Sequence, residues 1–152
     1  MATYPKVLKP WRGFPNMNGL HGIAVHINQA PPAQDVLGQP PRNGVALTKD
    51  LAFHIGTIPR GSIILPINGF ITAAKGFTAA VTIKIGSKTV PEGVLASATL
   101  IPQTPGYKTN LAPGTLAQAP LTEDTPVYIL AEAAVPAAGE MSLVIPFYIH
   151  RD

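Results

Sequence analysis

The chain of 152 residues carries 11 Lys and Arg against 8 Asp and Glu, 17 Pro, 14 Gly and no Cys, with 12% charged and 46% hydrophobic residues. That length fits one domain, and the hydrophobic share argues against disorder throughout, which needs low hydrophobicity and high net charge. Without cysteine, disulfides, zinc ribbons and thiol catalysis are excluded. No apolar run reaches the roughly 18–20 residues of a membrane helix, and the opening residues lack a signal-peptide core, so a cytoplasmically made protein with no membrane partner is expected.

Residues 1–43 come first and differ from the rest. They hold Lys6, Lys9, Arg12 and Arg42 against Asp35 alone, so the whole formal excess of +3 lies here. They also hold seven of the prolines, including Pro31-Pro32 and Pro40-Pro41. Proline lacks a backbone donor and keeps the preceding residue extended, which rules out a helix and leaves room for a strand only near Gly22 to Ile27. The segment reads as an extended, basic, Pro-rich arm on a compact body at 44–152. Its large apolar groups mark it as partner-binding, because aromatic and Arg side chains are what interface anchors are made of. The candidate contacts are Tyr4, Lys6, Lys9, Trp11, Arg12, Phe14, Met17 and Leu20. A charge of +3 without a Lys/Arg cluster makes nucleic acid a poor partner.

From residue 44 onward, short apolar runs alternate with turn signals, as in a sandwich or barrel. Residues 45–55 form the first candidate strand, with Val45, Leu47 and, after a shift, Phe53 and Ile55 inward. Residues 62–72 follow, with Ile63, Leu65 and Ile67 on one face and Asn68-Gly69 as a bend. Residues 78–86 alternate most cleanly: Ala79, Val81, Ile83 and Ile85 on one side, Thr78, Ala80, Thr82 and Lys84 on the other. Further strands are expected at 94–101, 126–134 and 141–150. Pro66 and Pro146 place their strands at edges or mark irregularities. The fold class is all-β: an antiparallel, jelly-roll-like β-sandwich of seven or eight strands with an extended N-terminal arm.

Catalytic motifs are absent. Ser62, Ser87, Ser97 and Ser142 stand in no Gly-x-Ser-x-Gly elbow. Gly86-Ser87-Lys88-Thr89 lacks the upstream glycine and following helix of a phosphate loop and reads as a hairpin turn. His21 and His26, five apart, face opposite sides of a strand with no acid or cysteine beside them in sequence, so no metal site is expected. Glu92, Glu123-Asp124, Glu132 and Glu140 lie by turns or strand margins. The expectation is a non-enzyme without cofactor or metal.

Two stretches carry a resemblance. One runs from Ile58-Pro59-Arg60-Gly61-Ser62-Ile63-Ile64 through Thr72-Ala73-Ala74 to Ala80-Val81-Thr82-Ile83-Lys84-Ile85-Gly86. The other runs from Ala119-Pro120-Leu121-Thr122-Glu123-Asp124-Thr125-Pro126-Val127-Tyr128 to Ala137-Ala138-Gly139-Glu140 and a final apolar strand. Their cadence resembles the capsid decoration (cement) proteins of tailed bacteriophages. The resemblance implies a jelly-roll body on the outer face of an icosahedral shell and an arm threaded between coat subunits. The partners it implies are the major capsid protein and further copies of the chain, a dimer before a trimer. The alternative is a receptor- or glycan-binding β-sandwich module of a phage tail or head fibre.

Overall fold

Period-two apolar runs between Pro, Gly and Asn breaks favour strands over helices. The computed structural model describes residues 19–29, 46–67, 71–78, 81–132, 135 and 137–149. Eight strands follow in chain order: β1 (Gly19–Asn28), β2 (Ala52–Ile58), β3 (Ser62–Ile64), β4 (Ile71–Lys75), β5 (Thr82–Gly86), β6 (Gly106–Tyr107), β7 (Thr125–Glu132) and β8 (Glu140–Ile149). They pair antiparallel in two sheets. The first is ordered β1-β8-β4-β6, with β3 also on β8; the second is ordered β2-β7-β5. Apart from β3 and β4, which share the first sheet, successive strands cross between the sheets, and the first and last strands lie side by side, which is the winding of a jelly roll. An isolated bridge from Ile85 to Leu95 marks a residual fourth place beside β5.

Both sheets turn aliphatic faces inward. Met141, Leu143, Ile145, Phe147 and Ile149 of β8, with Ile27 and Ile71, meet Ile58, Ile83, Ile85, Val127 and Ile129. The alternation expected for β7 and β8 is the one found, and so is that of β5 from Val81 on; β5 starts at Thr82, and Ala79 and Ala80 lie outside the described residues. Residues 19–28, counted by composition with the arm, form β1 and pair with β8 along their whole length. The remainder of the 1–43 segment lies outside the described residues.

Three readings change. The strand expected at 45–55 starts only at Ala52, after a turn closed by Leu51 N–H on the Thr48 carbonyl (3.1 Å) with Asp50 at φ 58°. Leu47 is still buried, Phe53 and Ile55 pack against the core, and Val45 is outside the described residues. In β3 the inward residues are Ser62 and Ile64, while Ile63 faces out. The cause is the preceding turn, in which Ser62 N–H reaches the Pro59 carbonyl (3.2 Å) and Gly61 adopts φ 80°, so the strand enters one residue out of phase. Residues 94–101 form no strand. Thr99 Oγ1 donates to the Ala96 carbonyl (2.7 Å) and accepts Ala112 N–H (3.1 Å), and Ser97 bonds Glu92, so a 3₁₀ turn at Ser97–Thr99 replaces a ladder.

Pro146 lies in a central strand, not an edge one. Its carbonyl accepts Leu65 N–H (2.9 Å) on the side where β8 changes partner, from β3 at Phe147 to β4 at Leu143. A strand residue's N and O face the same edge, so the missing donor falls in that gap and breaks no ladder bond. Gly139, at φ 141°, immediately precedes β8; a Cβ there would lie 1.9 Å from the Phe77 ring.

Substitutions in β5 test this arrangement. Ile83 and Ile85 are both fully buried, so Ile83→Asp and Ile85→Asp each bury an unpaired carboxylate and should prevent folding. Thr82→Lys, exposed and opposite Glu132 in register, should melt within a few degrees of the parent. Circular dichroism melts of the three variants read the difference. Ser62 is wholly buried and its hydroxyl has no partner among the described residues; Ser62→Ala should raise the melting temperature.

Candidate interaction surface

A sheet with one face toward solvent ordinarily keeps that face polar. The outer face of the first sheet does so at one end only. Alternation sends Ser142, Val144, Pro146 and Tyr148 of β8 to this side; Ser142 and Tyr148 are exposed, Val144 is half-buried and Pro146 is buried. Register then places Leu20 of β1 beside Tyr148, and Tyr148 beside Ile63 of β3. The three form an apolar row across neighbouring strands, exposed by 57%, 40% and 38%. The next rungs, Gly22 with Pro146 and Ala24 with Val144, carry no charge.

The opposite end is polar. His26 Nδ1 lies 2.7 Å from Ser142 Oγ, and its Nε2 lies 3.0 Å from Glu140 Oε1. Lys75 Nζ of β4 approaches the other Glu140 oxygen at 3.8 Å. Sequence reasoning missed this partner because Glu140 reaches His26 only through the β1–β8 pairing. Hydroxyl, imidazole and carboxylate in series are the parts of a nucleophilic triad. Acyl transfer also needs donors aimed at an oxyanion, and the backbone N–H of Ser142 faces β4, where Thr72 pairs with it. The group serves as a clasp holding β1 and β4 to β8. His21, on the inner side of β1, stacks on Phe147 with ring centroids 5.6 Å apart, so the two histidines do face opposite sides.

Of the expected contact residues, Leu20 stands in the apolar row; Tyr4, Lys6, Lys9, Trp11, Arg12, Phe14 and Met17 lie outside the described residues. Tyr148 was not among them. Its signal was present in the sequence: positions 144, 146 and 148, which the β8 pattern assigns to the wet side, are Val, Pro and Tyr. A shallow cleft of about 290 Å³ also lies on the second sheet, between Ala52, Tyr128, Leu130, Pro91 and Lys88. Its Ser87 hydroxyl is engaged with Val90 N–H (3.0 Å) and Thr89 (3.2 Å), shaping the hairpin. Among the described residues no group of three or more His, Cys, Asp or Glu is placed to hold a metal, and no helix is long and apolar enough to cross a membrane.

The fold has a solved counterpart in a phage capsid. The chain is similar to a chain of the cyanophage Pam1 capsid asymmetric unit, with a TM-score of 0.50 and 14% sequence identity over 98% of this chain and 99% of that one. At such identity the likeness speaks to the fold. No protein-family model matches the sequence, and no curated protein does.

Tyr107, in register with Thr72, is 74% exposed at the polar end of the face. Beside it Lys108 is buried, with its ammonium on the Thr104 carbonyl and Thr104 Oγ1 (3.1 Å), and its N–H on the Ile71 carbonyl (2.8 Å). Burial pushes its pKa below the usual lysine value of 10.5. The unfolded chain therefore binds more protons than the folded one just below that value, so this residue makes stability rise with pH there. Lys108→Met should flatten that rise in denaturant titrations at pH 8 to 10.5.

Proposed function

We propose that the protein is a structural component of a tailed-phage virion, bound to the outside of an icosahedral capsid, where it stabilises the shell by clamping neighbouring major capsid protein subunits. The observation that carries this reading is the in-register apolar row of Leu20, Tyr148 and Ile63, which opens next to the point where the Trp11- and Phe14-bearing segment enters β1. An exposed apolar row beside a chain rich in anchor residues suits a protein surface as partner. The jelly-roll fold it shares with a chain of the Pam1 capsid asymmetric unit, and the decoration-protein cadence of its sequence, support the same reading. No catalytic step is needed. An extended segment spans roughly 3.3 Å per residue, so it can bridge a seam between subunits with few residues. Ordering it costs about 1–2 kcal/mol per residue, and burial of the aromatic anchors offsets that cost.

The alternative, a receptor- or glycan-binding module of a tail or head fibre, draws on the cleft beside Tyr128 and Lys88. The two readings differ in what they bind. Purified chain mixed with coat shells assembled without it should co-sediment at many copies per shell and raise the temperature at which the shells break open. Trp11→Ala with Phe14→Ala, and separately Leu20→Ser with Tyr148→Thr, should each weaken attachment by roughly 30-fold or more while the free protein melts normally. Full occupancy by both variants, or binding to host-envelope polysaccharide with the shells left bare, would overturn the proposal.

A further inference from the structure

Strand edges offer unpaired N–H and C=O groups, and proteins normally blunt them with short strands, bulges, charges, proline or a cover. Four of the five outermost strands here are managed in that way, β3 being three residues long and covered by Leu121, whose N–H bonds the Ser62 carbonyl (2.9 Å). β6 is two residues long, β2 is interrupted by a bulge between His54 and Gly56, and β5 is covered by Val94 and Leu95, whose N–H groups bond the Ile85 carbonyl at 3.0 and 3.2 Å. β1 is the exception. It is ten residues long, pairs with β8 without a break, and reads Gly-Leu-His-Gly-Ile-Ala-Val-His-Ile-Asn, with no proline, Lys, Arg, Asp or Glu.

The direction of its backbone groups follows from the neighbouring ladder. Pro146 turns its carbonyl toward Leu65, away from β1, so its register partner Gly22 belongs to a pair that exchanges no bonds. By alternation Leu20, Gly22, Ala24 and His26 all point N–H and C=O to the outer edge, where no backbone hydrogen bond is made among the described residues. Gly22 and Ala24 are exposed, and Ile23 and Val25 stay only half-buried on the inner side.

We infer that β1 pairs with β1 of a second copy, antiparallel across a two-fold axis at Ile23, making one continuous sheet through a dimer. This register matches Leu20 with His26 and Gly22 with Ala24, in both directions, so the outward N–H and C=O groups of these four residues all find partners. The side chains suit it as well. Ile23 of one copy meets Ile23 of the other on the inner face, small Gly22 and Ala24 meet on the outer face, and no like charges oppose each other. Such an interface is self-complementary and closes at two chains. It goes beyond the capsid reading and is independent of it, since it concerns the free protein.

Two measurements on the full chain test it. Sedimentation equilibrium should give a dimer, and Ala24→Pro should raise the dissociation constant roughly 30-fold or more. The Ala24 N–H faces away from β8, a place where an edge strand accepts proline, so the variant should keep its β-sheet circular dichroism. Should the variant misfold, amide hydrogen exchange of the parent decides. In the dimer, the amides of Gly22 and Ala24 should be protected as strongly as those of Ile23 and Val25, and should lose that protection on dilution. A monomer at tens of micromolar, a trimer, a folded Ala24→Pro dimer of parental affinity, or concentration-independent protection of Gly22 and Ala24 (the mark of a strand from the same chain) would each overturn the inference.

Discussion

The first sheet depends on β8, which takes partners along both of its edges. On one side β1 runs its full length; on the other β3 and β4 share it end to end. Two demands on this strand have to be met together. Its inward positions must be large and apolar to fill the space between the sheets, and Met141, Leu143, Ile145, Phe147 and Ile149 meet that demand. Its backbone must also serve two ladders, and proline is acceptable only where one of them pauses. Pro146 stands at that pause, so the handover from β3 to β4 and the sequence of β8 explain each other.

The outward positions of the same strand divide the sheet surface into two chemical zones. Toward the β3 end, Tyr148 joins Leu20 and Ile63 in a row that water does not favour. Toward the β4 end, Ser142 and Glu140 hold His26 and Lys75 in a polar clasp. The clasp fixes β1 laterally without using the outer edge of that strand. One element thus places the apolar row and orients β1, whose outer edge has no backbone partner among the described residues, which is why the capsid reading and the proposed dimer rest on neighbouring residues and remain separable.

The second sheet is built differently. β7 is flanked by β2 and β5, and a cross-strand pair between Lys84 and Glu132 (2.9 Å) sits on its outer side, where the neighbouring carboxylate raises the lysine pKa. That pair shares the face with the apolar cleft of Ala52, Tyr128 and Leu130.

Much of the fold was legible in the amino-acid order. Alternation in β5, β7 and β8 identified strands and their buried faces, because a two-residue side-chain period needs only local sequence to be read. Leu20 was singled out only as a large apolar group of the Pro-rich segment, and the structure places it in the exposed row. Phase and partnership were not. Ile63 faces out because the turn at Gly61 offsets β3 by one residue, and residues 94–101 turn because Thr99 finds Ala96 and Ala112 instead of a strand neighbour. The union of His26 with Glu140 and the alignment of Leu20, Tyr148 and Ile63 arise from pairing between segments distant in the chain. Composition and periodicity determined that this protein would be a β-sandwich and located strands such as β5, β7 and β8; only the tertiary structure decided which strands meet, because register is a relation between segments that neither one carries alone.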